Sequence, residues 1–377
     1  MRILQVSPFF YPHAGGVESH VRAISGELAR RGHDVTVLTS SHDRTLPERE
    51  ERDGYRIVRT RPLAIAFNTP IDPRLRSAIR SIPTDIVHLH YPPPLTAYYA
   101  VRGIRKTGVP ICLTYHCDLY LPGPMGRVLT GLYQRLYLPY TLRRVKAIIV
   151  HTRSYGMTSA PLRGRTLTIV PSAVDLTRFR PDLDGEPTKH ALGLDGKRVL
   201  IFTGRLVPHK GVDVIVRALA ALPSDVALMI VGRGPRRDDL IALARRQRVE
   251  DRVLFLDQVT DEELPRYLRA AEMFVFPSQN RLEGFGLAVT EAMASGLPVI
   301  IADMPGVREV IEPGKEGVLV EPLIGADLVA RVRELLDDPE RRRSMGEAAR
   351  RRAEERYGLT TVADQLIRLY QDLRAAG

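Results

Sequence analysis

Short, mainly apolar runs recur along the chain, each ending near glycine, proline or a small polar residue. Runs of this kind read as strands buried on both faces, which is how parallel sheets look in sequence. In the first half they fall at residues 2–7, 35–39, 57–59, 86–89, 111–115, 148–150 and 167–170. In the second half they fall at 199–203, 226–231, 253–256, 273–276 and 298–302. Between them lie stretches with helical periodicity. Residues 18–31 place Val21, Ile24 and Leu28 on one stripe, and further helices read at 212–222, 287–295 and from residue 326 onward. Strand and helix in alternation predict an α/β protein built on parallel sheets.

A chain of 377 residues exceeds what one hydrophobic core usually serves, so two domains are expected. The turn-rich stretch around Pro181, Asp182, Asp184, Gly185 and Pro187 marks the boundary. This gives an N-terminal domain 1–180, a linker 181–197, a C-terminal domain 198–355 and a terminal helical segment 356–377. Asp182 and Asp184 read as turn charges, not metal ligands. No run approaches the ~20 apolar residues of a membrane span. The first strand begins at Arg2, which leaves no room for a signal peptide, and two cysteines, Cys112 and Cys117, make no disulfide framework. A cytoplasmic protein without a metal or other cofactor is expected.

Candidate chemistry gathers at the ends of the strand runs. After run 273–276 comes Glu283, then Gly284, Phe285, Gly286 and Leu287 opening a helix that carries Glu291. The four backbone N–H groups at that helix start are expected to be unpaired and able to hold an anion or hydroxyl. Taken singly, each glutamate is an ordinary solvated charge; the pair with Gly-Phe-Gly between is far more specific. After run 199–203, Arg205 and Lys210 sit five residues apart on one loop between Gly204 and Gly211, suited to converge on a diphosphate. After run 2–7, Gly15 and Gly16 precede a helix and permit close backbone approach to a phosphate. The dinucleotide fingerprint G-x-G-x-x-G is absent. His116 follows run 111–115, whereas His88 and His90 alternate within a strand and read as structural.

The Glu283–Glu291 spacing, the Arg205–Lys210 loop and the Gly15-Gly16-Val17-Glu18 stretch together resemble the retaining group 1 glycosyltransferases, family four, over nearly the whole chain. The resemblance implies the GT-B architecture, two Rossmann-like parallel-sheet domains facing each other across a cleft, with the last helix crossing back to the first domain. It implies that Glu283 contacts hydroxyls of the donor sugar, Glu291 the ribose, and Arg205 and Lys210 the diphosphate. His116 would lie near the donor sugar and acceptor hydroxyl, and Val259, in the 257–260 loop, near the base. Two departures stand out. The family's Asn-Gly-Val-Asp appears as Ser172-Ala173-Val174-Asp175, and Asp257 replaces a usual glycine. The expected reaction moves a hexose from a nucleoside diphosphate sugar, of the GDP-mannose or UDP-glucose type, to a hydroxyl acceptor without a metal.

Charge refines the partner. Residues 55–180 hold 19 Lys+Arg against Asp72, Asp85, Asp118 and Asp175, a balance of +15 within a chain of +11. The remainder is therefore acidic by four. One basic half suggests an anionic partner there, such as a lipid-linked or phosphorylated acceptor at a membrane face. Residues 121–146 add Arg127, Arg135, Arg143 and Arg144 among leucines and tyrosines, an amphipathic basic pattern. A small soluble acceptor, a sugar-nucleotide epimerase or phosphorylase, and a nucleic-acid-binding protein are the competing readings. No helix-turn-helix, zinc or RNA-binding motif supports the last.

Overall fold

The computed structural model describes every residue except Ala14, Lys106, Pro122 and Gly377. It forms two compact units, Met1–Ala173 with Leu359–Gly377, and Val174–Gly358.

The first unit holds β1 (Arg2–Ser7), β2 (Asp34–Ser40), β3 (Arg49–Arg52), β4 (Tyr55–Thr60), the small hairpin β5 (Ala64–Ala66) and β6 (Thr69–Ile71), β7 (Ile86–Tyr91), β8 (Ile111–Tyr115), β9 (Ala147–Val150) and β10 (Thr168–Ile169). Eight of these make one sheet in the order β10-β9-β8-β7-β1-β2-β4-β3, parallel throughout except for β3 against β4. Helices cover both faces. On one face Val21, Ile24 and Leu28 of helix Gly16–Arg30 pack beside Val362, Leu366 and Tyr370. On the other, Ala97, Val101, Tyr133 and Leu138 form a separate core. Burial on both sides is why β9 reads as an apolar run, and it encloses Gln5 of β1 and His88 and His90 of β7.

The terminal helix Leu359–Ala375 belongs to this first unit. Arg31 pairs with Asp364 and donates through Nη2 to the Thr360 carbonyl at 2.9 Å. Tyr370 is fully buried against the sheet.

The second unit has β11 (Arg198–Thr203), β12 (Val226–Val231), β13 (Val253–Leu256), β14 (Met273–Phe276), β15 (Val299–Ala302) and β16 (Gly317–Val320). They form an all-parallel sheet in the order β13-β12-β11-β14-β15-β16 around one contiguous core. The stretch expected as a linker packs on this unit. Gly185 abuts the Arg269 backbone, the Arg269 Nε donates to the Leu183 carbonyl at 3.4 Å, and helix Glu186–Ala191 follows. The unit boundary falls at Ala173 and Val174, several residues before the turn-rich stretch, because Val174 N–H is already bonded to the Tyr357 carbonyl at 2.8 Å.

Within the basic segment, helix Gly123–Leu136 buries Gly126 and Tyr133 and turns Met125, Val128, Leu132 and Leu136 outward. Val128 is 68% exposed, and Arg127 and Arg135 flank the stripe. Leu129 is half-buried, whereas Leu132 and Leu136 stand in solvent.

Candidate active site

In an open parallel sheet, ligands bind where the strand order reverses, beyond the carboxyl ends. In the second unit that point lies between β11 and β14, which are neighbours in the sheet but not in sequence. The loop after β11 carries Arg205 and Lys210, and the loop after β14 carries Glu283. Two motifs separated by more than seventy residues thus arrive at one place.

Lys210 Nζ pairs there with Glu283 Oε2, both side chains largely enclosed, and lies 4.7 Å from the centre of the Phe276 ring. The two loops are also tied by backbone. The His209 carbonyl accepts from Gln279 N–H at 2.7 Å and from the Ser278 hydroxyl at 3.1 Å. This junction depends on Gly211. Its φ of 69° lies in the left-handed region, and a Cβ at this position would stand only 2.1 Å from the Pro277 carbonyl oxygen. Gly211→Ala is expected to separate the loops, lower the melting temperature and abolish nucleotide binding. Thermal denaturation with and without nucleoside diphosphate checks it. Arg205 is exposed and has no ion-pair partner among the described residues.

Gly286 caps helix Leu287–Ala294 with φ 89°. Among the described residues, the N–H groups of Gly284, Gly286 and Leu287 have no intramolecular acceptor, leaving donors aimed from a helix start. Phe285 is buried and packs edge-on against Tyr357 at 5.7 Å, holding the loop to the core. Glu291 lies in the next turn. Its residue keeps some accessible surface, but the carboxyl is enclosed, and burial pushes it up to about 7, with Arg178 opposing and Asp261 reinforcing the rise. Hydroxyls of a bound ligand that donate to Glu291 would favour its charged form. Nucleotide binding is therefore expected to release a proton below pH 7 and to be ~10-fold tighter at pH 8 than at pH 6. Glu291→Gln should flatten the profile, and calorimetry across that range checks both. Val259 is half-buried against the core on the loop after β13.

In the first unit the order reverses between β1 and β7. Gly15 and Gly16 open the helix after β1, and the Glu18 carboxylate folds against Gly15 while accepting from His13 Nδ1 at 3.1 Å. His116 stands just beyond β8, its N–H bonded to the Tyr91 carbonyl at 2.8 Å. Around it the fold assembles histidines far apart in sequence. Ring centres of His20, His90 and His151 lie 5.4, 5.3 and 4.9 Å from that of His116, and His88 lies 4.4 Å from His90. Burial lowers the basicity of all five. Sequence reasoning placed His88 and His90 as structural but missed His20, His151, Gln5 and Tyr370. The parallel register that sets Gln5 beside His88 was the available signal. Among the described residues no group of three or more His, Cys, Asp or Glu is arranged to hold a metal ion. Neither cysteine forms a disulfide.

Two Rossmann-like units, each with chemistry at its switch point, define the GT-B fold. The chain belongs to the group 1 glycosyltransferases. Residues 186–352 match the profile "Glycosyl transferases group 1", and residues 14–178 match "Glycosyltransferase Family 4". It is 30% identical, over 99% of each chain, to a GDP-mannose-dependent alpha-(1-6)-phosphatidylinositol monomannoside mannosyltransferase of Mycolicibacterium smegmatis. A D-inositol 3-phosphate glycosyltransferase of Xylanimonas cellulosilytica is 29% identical over 98% of this chain and 95% of its own. In fold it is similar to sucrose-phosphate synthase from Thermosynechococcus elongatus, with a TM-score of 0.85, 23% identity and full coverage of both chains. The protein is a glycosyltransferase.

Proposed function

We propose that this enzyme transfers a hexose, with retention of configuration and without a metal, from a nucleoside diphosphate sugar of the GDP-mannose or UDP-glucose type to a hydroxyl of a lipid-linked or phosphorylated acceptor. The observation that carries the reading is the Lys210–Glu283 pair at the switch point, between loops that also present Arg205 and lead into Glu291. The relatives' action on phosphatidylinositol mannoside and inositol phosphate supports an acceptor of this class.

In the proposed reaction the anomeric C–O bond to the diphosphate breaks through an oxocarbenium-like transition state, and negative charge gathers on the departing phosphate. Arg205, Lys210 and the N–H groups at the helix start stabilise that charge. Glu283 holds donor-sugar hydroxyls and Glu291 the ribose. Val259 lies beside the base, and Gly15 and Gly16 beside the donor phosphate. The acceptor oxygen forms the new C–O bond on the face the leaving group vacates, and its proton passes to a donor phosphate oxygen.

No helix among the described residues is long and apolar enough to cross a membrane. The outward stripe Met125, Val128, Leu132 and Leu136, beside Arg127 and Arg135, supports peripheral contact with an anionic cytoplasmic membrane face, as does the +15 balance of residues 55–180.

Transfer from GDP-mannose and UDP-glucose to phosphatidylinositol or inositol phosphate, measured in excess EDTA with the anomeric product read by NMR, tests the chemistry. Strict dependence on added Mg²⁺ or Mn²⁺, or an inverted product, would overturn those parts. Sedimentation with phosphatidylglycerol vesicles is expected to exceed that with neutral vesicles and to fall with salt. Equal, negligible pelleting would leave a soluble acceptor.

A further inference from the structure

The hydrogen bonds around His116 have a direction that can be worked out atom by atom. The Val170 carbonyl only accepts, and His151 Nδ1 lies 3.0 Å from it, so that nitrogen carries the proton. Neutral His151, its basicity lowered to about 4 by burial, then has only an acceptor at Nε2. His116 Nδ1, 2.9 Å from that atom, must donate, which leaves His116 Nε2 as an acceptor. His90 Nδ1, 3.0 Å away, donates to it.

The same logic continues inward. The Gln5 amide lies with its oxygen 2.8 Å from His90 Nε2 and its nitrogen 3.5 Å from the Tyr370 hydroxyl. Because His90 Nε2 is left accepting, the amide must be turned over, which exchanges the two positions so that its NH₂ donates to His90 and its oxygen accepts from Tyr370. Tyr370 accepts from His88 Nδ1 at 2.6 Å, and His88 Nε2 accepts from the Thr114 hydroxyl at 2.7 Å. One chain of neutral groups thus runs from Thr114 to the Val170 carbonyl, and every link is satisfied in one direction. Separately, His20 Nδ1 pairs with the Ser172 hydroxyl at 2.9 Å.

We propose that His90 and His151 are positioning residues that lock His116 as its Nδ1–H tautomer, so that His116 takes part in transfer as a fixed structural group and not as a proton acceptor. Both ring nitrogens and the backbone N–H of His116 are engaged inside the unit. Among the described residues no bond is made to its carbonyl oxygen, which is left able to accept from a ligand hydroxyl. Within the unit, the titratable groups packed on His116 are His20 on helix Gly16–Arg30, His90 on β7 and His151 after β9. Asp118, two residues on, has its Oδ1 engaged by the hydroxyls of Tyr115 and Ser159. An ion-paired histidine base has a carboxylate beside it; here the rings that bond His116 are themselves uncharged.

The rate readout rests on the transferase reading, whereas the tautomer readout does not. In ¹⁵N-labelled, ligand-free protein, the His116 resonances, identified by their loss in His116→Gln, should show Nδ1–H and hold that form from pH 8 to pH 6. An Nε2–H tautomer, or a charge change near the ordinary histidine value, overturns the proposal. At saturating donor and acceptor, wild-type kcat should show no histidine-like acid limb. His151→Leu removes the acceptor for His116 Nδ1, so its ¹⁵N spectrum should show an Nε2–H form of His116 beside the Nδ1–H form. His151→Gln, whose side-chain oxygen reaches the Nε2 position, should restore the single Nδ1–H form. A His151→Leu protein that keeps only the Nδ1–H form also overturns the proposal, and if that variant does not fold the wild-type tautomer decides alone. A preparation with no transfer to any acceptor would remove the functional reading and leave the tautomer result intact.

Discussion

Lys210→Ala is expected to lower kcat at least ~10²-fold, the effect typical of losing one preorganised donor to developing charge. Two separate losses contribute, and the structure shows how to part them. Lys210 neutralises Glu283 in an enclosed site, and breaking such a pair costs ~3–5 kcal/mol because a charge is left without its partner. The same ammonium is proposed to meet the diphosphate as it departs. In the Glu283→Gln/Lys210→Met double variant the uncompensated charge is gone, so the melting temperature should recover towards wild type. Transfer should not recover, because the diphosphate lacks its cation and the donor sugar lacks the Glu283 carboxylate. Recovery of both would overturn the roles proposed for Lys210 and for Glu283. Arg205 supplies the contrast. It is exposed with no ion-pair partner among the described residues, so Arg205→Ala should leave stability within ~0.5 kcal/mol of wild type. It should still reduce kcat ~10²-fold. Melting curves and single-turnover rates on the same preparations read all of this.

The parallel sheets were legible because strands buried on both faces leave mainly apolar runs, and the residues following each run fell at strand ends as expected. Glu283 and Lys210 could be read separately from spacing and neighbours, but not their pairing. Contact across a switch point depends on strand order, and sequence proximity carries no record that β11 lies beside β14. The unit boundary was misplaced for a related reason. Turn-rich residues at 181–187 look like a linker, yet they pack on Arg269, more than eighty residues away. The histidine chain was the least visible feature. The five histidines come from four separate stretches of the chain, and the ladder through His88, His90, His116 and His151 needs Tyr370 from the last helix. Periodicity could mark His88 and His90 as inward-facing, but it could not say that the inside was made of other histidines.

That composition of the interior leads to the second large effect, acid sensitivity confined to the first unit. Unfolded histidine titrates near 6.5. In the folded unit burial holds His88 down at about 3 and His151 at about 4, with His20, His90 and His116 also well below their ordinary value. A base whose folded value is depressed contributes stability that is complete above 6.5 and is lost as the pH falls towards the folded value, because only the unfolded chain takes up the proton. Each such group removes up to ~1.4 kcal/mol per pH unit in that window. Even two at full strength remove ~3 kcal/mol per unit, a large share of the 5–15 kcal/mol that holds a typical protein folded. Glu291 acts in the opposite sense, since burial of its charged form penalises the folded state above about 7 and that penalty is relieved as the pH falls to its ordinary value, but it is one group and lies in the second unit. Calorimetry from pH 7.5 to pH 5 is therefore expected to show one transition moving steeply down in temperature while the other moves little. Uptake of more than two protons on unfolding at pH 5.5 should accompany the labile transition. Replacing His90 by glutamine removes one titrating group from the chain and should make the slope shallower. A first unit equally stable at pH 7.5 and pH 5 would mean that the buried rings take up protons without unfolding, and the neutral ladder from Thr114 to Val170 would then not describe them.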